Sequence, residues 1–306
     1  LHNHPEIAEA YTQAAEKNVL AALNPKIFFG YFSVCADGQG HGGNTTFPGL
    51  DWGQSAEALL WLGRRNEVLA SWEYVKGFQR PDGLMPGGGF YLERPTRLEF
   101  DGVNQCYSAH TLALAALLFA AASAPATAAR CREGAVRLTA AFRQHFWAGD
   151  HCVEYLHPEH GAISHHGLTD VDWAAVATGV ASAAQIAVLW PQLKDNEDFI
   201  YNGIPTGIST RPETYADWEM QNLDRHDLAA MGRVWYLECW ARAQMSDQDG
   251  LLRSLRRVAE IGAANGWSWR ERYYSTRTGD LASYAINHYC EYPANFIRIT
   301  NRFLAH

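Results

Sequence analysis

Asp170 and Asp172 stand one residue apart in "HGLTDVDWAAVATGVASA", directly ahead of Trp173. A third acid, Glu271, lies in "NGWSWRERYYSTRTGD", among Trp267, Trp269, Tyr273 and Tyr274 and between Arg270 and Arg272. Glycoside hydrolysis needs two such carboxyl groups. One stays protonated to donate to the leaving oxygen, and the other stays ionised to activate water or to attack. Flanking arginines favour the ionised form of Glu271, as a base requires. Burial beside Trp173, with a negative charge opposite, favours the protonated form of Asp172, as an acid requires. Asp170 is the rival for the acid role. Each residue also has a plainer reading. Thr169 and Asp172 have the spacing of a helix capping box, and Glu271 suits a surface ion pair with its arginines.

Carboxylates recur beside aromatic rings, as Asp51-Trp52, Asp172-Trp173, Asp217-Trp218 and Glu291-Tyr292. Carboxylate oxygens take sugar hydroxyls while a ring stacks on the C–H face. The four pairs therefore suit contact with a sugar, and Glu291 and Glu219 are the next carboxylates for the base. Trp61, Trp190 and Trp240 are expected in the core. His165, His166, His226 and His288 offer proton carriers for a different chemistry, epimerisation or elimination. No HExxH motif or two-His-one-carboxylate spacing stands out, so neither a metal nor a cofactor is expected. The six cysteines form no CxxC pair and read as buried thiols.

These residues must be positioned by helices, because strand signals are few. Helical periodicity marks 5–23, 53–63, 66–78, 104–123, 126–145, 170–189, 224–244, 247–264 and 285–304. Alanine, leucine and glutamine, all good helix formers, dominate these stretches. A carboxylate repeatedly opens an apolar helix, at Asp51, Asp101, Asp172, Asp227 and Glu291. The spacing suits a helical hairpin plus its loop. Five or six hairpins closed into a ring would bring these helix starts, and their aromatic first turns, to one pocket. Asp51, Asp101, Asp172 and Asp227 are expected to line it.

The chain has 306 residues, 47% of them hydrophobic, which suffices for one large core, and no low-complexity linker divides it. Residues 1–306 are thus expected to form a single domain. The net charge of −8, without a basic run, argues against a nucleic-acid partner. The most apolar stretch, 111–129, is alanine-rich and reads as a buried helix rather than a membrane span. No signal peptide is visible, so a soluble protein is expected, with its compartment and oligomeric state left open.

Three stretches resemble the six-hairpin glycosidases, most closely the group of family 63 glucosidases, mannosylglycerate hydrolases and trehalases. "FPGLDWGQSAEALLWLG" with "FQRPDGLMP" is similar to their Trp-Asp inner helix and "QRPDGLIP". "HGLTDVDWAA" resembles their general-acid stretch. "WRERYYSTRTGD" with "YPANFIRI" resembles the stretch that carries their base. Here Asp-Trp replaces Trp-Asp at 51, and no proline and arginine follow Trp173. The resemblance implies an all-α, (α/α)6 double helical barrel and an inverting glycoside hydrolase acting on an α-linked, glucoside-like sugar in an oligosaccharide or small glycoside. It implies Asp172 as acid, with Asp170 as its rival, Glu271 as base, Asp51, Trp52 and Trp173 lining the sugar pocket, and Trp218, Glu219 and Trp267 as further candidates for that lining. An epimerase or lyase on the same barrel, or a non-catalytic carbohydrate-binding protein, are the alternatives.

Overall fold

The computed structural model describes residues 3–23, 35–36, 49–76, 100–195, 200–201, 204–205, 214, 216–219, 230–275, 281–282 and 287–304. Ten α-helices occur among them, in mostly helical order along the chain. They are α1 (Pro5–Gln13), α2 (Gly49–Trp61), α3 (Arg65–Lys76), α4 (Gly102–Ala121), α5 (Pro125–His145), α6 (Asp170–Ala177), α7 (Ala183–Leu193), α8 (Gly232–Gln244), α9 (Gln248–Ala264) and α10 (Glu291–Ile299). π-helical turns extend α1 over Ala14–Val19 and α10 over Thr300–Leu304.

A helix that is apolar on all sides is stable only with neighbours all round it. All of α6 and nearly all of α8 and α10 are buried. By contrast α9 is amphipathic and buries one stripe, Leu251, Leu255, Val258 and Gly262 among it. Of the alternate helices, α6, α8 and α10 are enclosed, whereas α2 and above all α4 leave many residues exposed. They pack side by side in the order α4, α6, α8, α10, α2, and α3, α5, α7 and α9 each pack against the helix before them.

α4 starts beside α6, and α8 and α2 run alongside α10 in the same direction. Gly102, first in α4, meets Val171 at the start of α6. Gly232, first in α8, meets the backbone of Glu291 and Tyr292 at the start of α10. Further along, Trp235 stacks on Tyr292 with centroids 5.7 Å apart, and Arg298 lies 3.9 Å over the Tyr236 ring. Gln54 of α2 receives a hydrogen bond from Asn295 at 2.8 Å, and one turn on Glu57 binds Arg298 at 2.9 Å and also Arg302. Helix starts thus meet in two groups, α4 with α6 and α8 and α2 with α10, and short strands lie near them. β1 (Phe100–Asp101), β2 (Tyr155–His157) and β3 (Gly161–Ile163) form an antiparallel sheet over α4 and α6. β4 (Ile200–Tyr201) pairs with β5 (Ile204–Pro205). β6 (Ala230–Met231), β7 (Arg272–Ser275) and β8 (Leu281–Ala282) form a third sheet, at the start of α8.

Three expectations need correction. The helix expected over 170–189 is two helices, because Gly179 adopts φ 71° and Ser182 starts a new helix with a capping box to Gln185. The 111–129 stretch is not a buried helix. It is the end of α4, a turn and the start of α5, and Leu114, Leu117, Leu118 and Phe119 are exposed, Leu118 by 70%. Trp61 lies at the surface, at the end of α2, whereas Trp240 is buried. The cysteines are free thiols, buried except for half-buried Cys131. No helix among the described residues is long and apolar enough to cross a membrane.

The glycines at the helix starts give a direct test. A Cβ at Gly232 would lie 2.7 Å from the Glu291 carbonyl carbon and the Tyr292 nitrogen, with backbone on the receiving side. Gly232→Ala is expected to destabilise by about 1–3 kcal/mol. Gly53, in α2, has nothing within 4 Å of its Cβ position, and Gly53→Ala is expected to stabilise by about 0.5–1 kcal/mol. Urea denaturation of both variants is the check; equal effects would contradict the tight α8–α10 contact.

Candidate functional site

Asp172 occupies the third position of α6, and its carboxylate closes the helix start. One oxygen accepts from the Thr169 N–H and the other from the Cys152 N–H, both at 2.7 Å. The Thr169 hydroxyl completes the capping box. The side chain is fully buried, and burial pushes its pKa up to about 6 against the downward pull of those two amides. Trp173 is likewise in the core. It meets Trp190 edge-on at 6.4 Å and lies 5.5 Å under the Arg242 guanidinium. Neither residue has surface to offer a sugar. Asp101 plays a similar capping part at α4, accepting from the Asn104 N–H at 2.9 Å. Asp170, first residue of α6, is 7% exposed.

Glu271 is 5% exposed and immediately precedes β7, whose Arg272 pairs with Met231 ahead of α8. The loop carrying it is pinned by Trp269. That ring lies against Gly262, where a Cβ would come within 2.3 Å, and its indole N–H donates to the Val258 carbonyl at 3.0 Å. Trp267 is half-buried with φ 67°, and its carbonyl accepts from Asn18 at 3.0 Å. Glu291, fully buried at the start of α10, accepts from Gln54 at 3.0 Å and pairs with Arg233 at 3.1 Å. Trp52 packs beside Cys35, Tyr289 and Cys290 and stacks on Trp72 with centroids 6.3 Å apart.

A second cluster lies on the strands over α4 and α6. His166 is fully buried, with Nδ1 2.5 Å from Glu154 and Nε2 3.1 Å from Glu219 Oε1. The Tyr155 hydroxyl donates to that same Glu219 oxygen at 2.5 Å, and the Ala216 N–H donates to the other at 2.8 Å. Burial alone would raise the pKa of Glu219, but these three partners outweigh it and hold it down to about 2. His165 stands beside them, its Nε2 3.6 Å from Glu219 Oε2 and its side chain 53% exposed. The turn Asp217–Glu219 also carries Trp218, 41% exposed and stacked on His160 with centroids 4.0 Å apart.

The sequence-predicted residues therefore divide. Glu219 and Trp218 share one turn, on the strand cluster. Trp52 and Glu291 meet where α2 and α10 begin. Asp172 and Trp173 belong to the interior. Asp51 is the third residue of α2, with its side chain outside the described residues, and Asp227 and His226 lie wholly outside them. Sequence reasoning missed Glu154 and Tyr155 and did not join His165 and His166 to Glu219. The paired histidines were visible, but their carboxylate partner is 53 residues away, and local motif spacing does not reveal a partner at that range. No family model matches the chain, and no curated protein matches it.

The Asp172 geometry predicts a stability effect. Asp172→Asn leaves one oxygen for two N–H donors and turns an amide N–H₂ toward the other, so a loss of about 1–3 kcal/mol is expected. The folded pKa, about 6, lies above the unfolded value, about 3.9. The folded state therefore holds the proton more tightly. This contribution is full below the unfolded value and is lost as pH rises through about 6. Urea titrations of wild type and Asp172→Asn between those limits should converge as pH rises. A constant difference would contradict the raised pKa.

Proposed function

We propose that this chain is an inverting glycoside hydrolase on a double-layered helical barrel, acting on an α-linked, glucoside-like sugar. The observation that supports the reading is the meeting of helix starts, α4 with α6 and α8 and α2 with α10, with buried carboxylates and rings beside them. Helix N-termini favour negative charge there and so suit ionised carboxylates. Glu271 is the general base. The acid role passes from Asp172 to Asp170, because both oxygens of Asp172 are engaged by backbone amides. In the reaction Asp170 gives its proton to the glycosidic oxygen as the bond to the anomeric carbon breaks. Glu271 takes a proton from the water whose oxygen bonds to that carbon from the opposite face. Trp52, Trp267 and Trp218 are the rings available for stacking.

A second reading, proton transfer by histidine in an epimerase or lyase, is favoured by one observation: His166 is clamped by Glu154 beside the exposed His165. Solvent deuterium in the recovered sugar would mark that reading.

The test is turnover of aryl glycosides and natural disaccharides, with the product anomer followed by NMR. Inversion is expected. Glu271→Gln should lower the rate about a hundredfold or more on every substrate. Asp170→Asn should do so on natural substrates but much less on aryl glycosides with good leaving groups, which need no acid. Retained configuration, or near wild-type rates in both variants, would sink the reading. Binding of sugar without turnover by the wild type would leave a carbohydrate-binding protein.

A further inference from the structure

We propose that His165, His166 and Glu219 form a binding site for one divalent transition-metal ion of the zinc class. The three side chains bring one ligand atom each to within 4.8 Å of the others, the one such group of three found among the described residues. Two imidazoles and a carboxylate are a donor set that suits Zn²⁺ and its neighbours rather than Ca²⁺ or Mg²⁺.

The spacing fits. Zinc–nitrogen and zinc–oxygen bonds of about 2.0–2.2 Å, at tetrahedral angles, separate adjacent ligand atoms by roughly 3.3–3.5 Å. His166 Nε2 lies 3.1 and 3.3 Å from the two Glu219 oxygens, and His165 Nε2 lies 3.6 Å from Oε2. A metal at the common centre would need only small side-chain adjustments.

The surroundings are those of a supported ligand set. Glu154 lies 2.5 Å from His166 Nδ1 and accepts from its N–H, so that Nε2, which faces Glu219, is the nitrogen that gives up its proton to a metal. A carboxylate behind a metal-binding histidine fixes its tautomer and raises its basicity. Tyr155 and the Ala216 amide hold Glu219 from behind. His165 is the ligand on the solvent side, and an ion reaches the site past it.

Three protein ligands leave a tetrahedral ion one open position, so a water or a substrate oxygen can bind it. The site goes beyond the glycosidase reading and does not rest on it, because metal binding is read directly.

The experiment is titration of the chelator-treated full-length chain with Zn²⁺ by calorimetry, and with Co²⁺ by visible absorption. One equivalent per chain is expected, with intense d–d bands of low coordination number and a raised Tm. His165→Ala, at an exposed position, should keep the fold by circular dichroism and weaken binding by about tenfold or more. Glu154→Gln, which touches no metal, should weaken it by about 10–100-fold. Absence of a stoichiometric site in the wild type would overturn the proposal, as would folded His165→Ala and Glu154→Gln chains with unchanged affinity.

Discussion

The polar groups near the helix starts depend on one steric condition: α4 and α8 begin in contacts too close for a side chain. α4 and α8 each start with glycine, and at both the space for a Cβ is already occupied, by Val171 and the Glu154 carbonyl in one case and by Glu291 and Tyr292 in the other. Close approach brings polar first turns together out of reach of bulk water. Their amides and carboxylates must then satisfy one another, because an unpaired buried polar group is costly. The Asp172 cap, the Gln54–Glu291–Arg233 group and the Glu154–His166–Glu219–Tyr155 group all answer that demand.

The same condition separates structural acids from chemical ones. Asp101 and Asp172 look alike in sequence to an acid awaiting a substrate, yet each accepts backbone amides of its own helix start. Glu219 also accepts an N–H three residues back, from Ala216, but it binds Tyr155 and His166 of other elements as well, and Glu271 lies on the loop before β7. A loop carboxylate fixed by distant elements is the more available group for binding an ion or a sugar.

Helix positions were legible in the sequence because a period of 3.6 residues is a local property. Every expected segment has a helix within it, and the capping box at Thr169 was visible from its spacing. The break at Gly179 was hidden by an unbroken apolar pattern across two short helices. Trp173 looked like a stacking ring because an aromatic beside an acid has the same appearance whether its helix faces solvent or is enclosed. Only the all-round burial of α6 decides that, and it depends on neighbours far along the chain. The His165–His166–Glu219 group was not legible for the same reason.

The seam between α2 and α10 has a kinetic consequence. Gln54 and Glu57 find Glu291, Asn295, Arg298 and Arg302 across 237 to 245 residues of chain, while the contacts of α4 with α5 and of β2 with β3 are local. Local contacts form fast, and contacts at long sequence separation form late. During synthesis α2 emerges with its polar partners still unmade, and it must wait for almost the whole chain before its ion pairs can close. α2 is thus secured only once α10 has docked beside it.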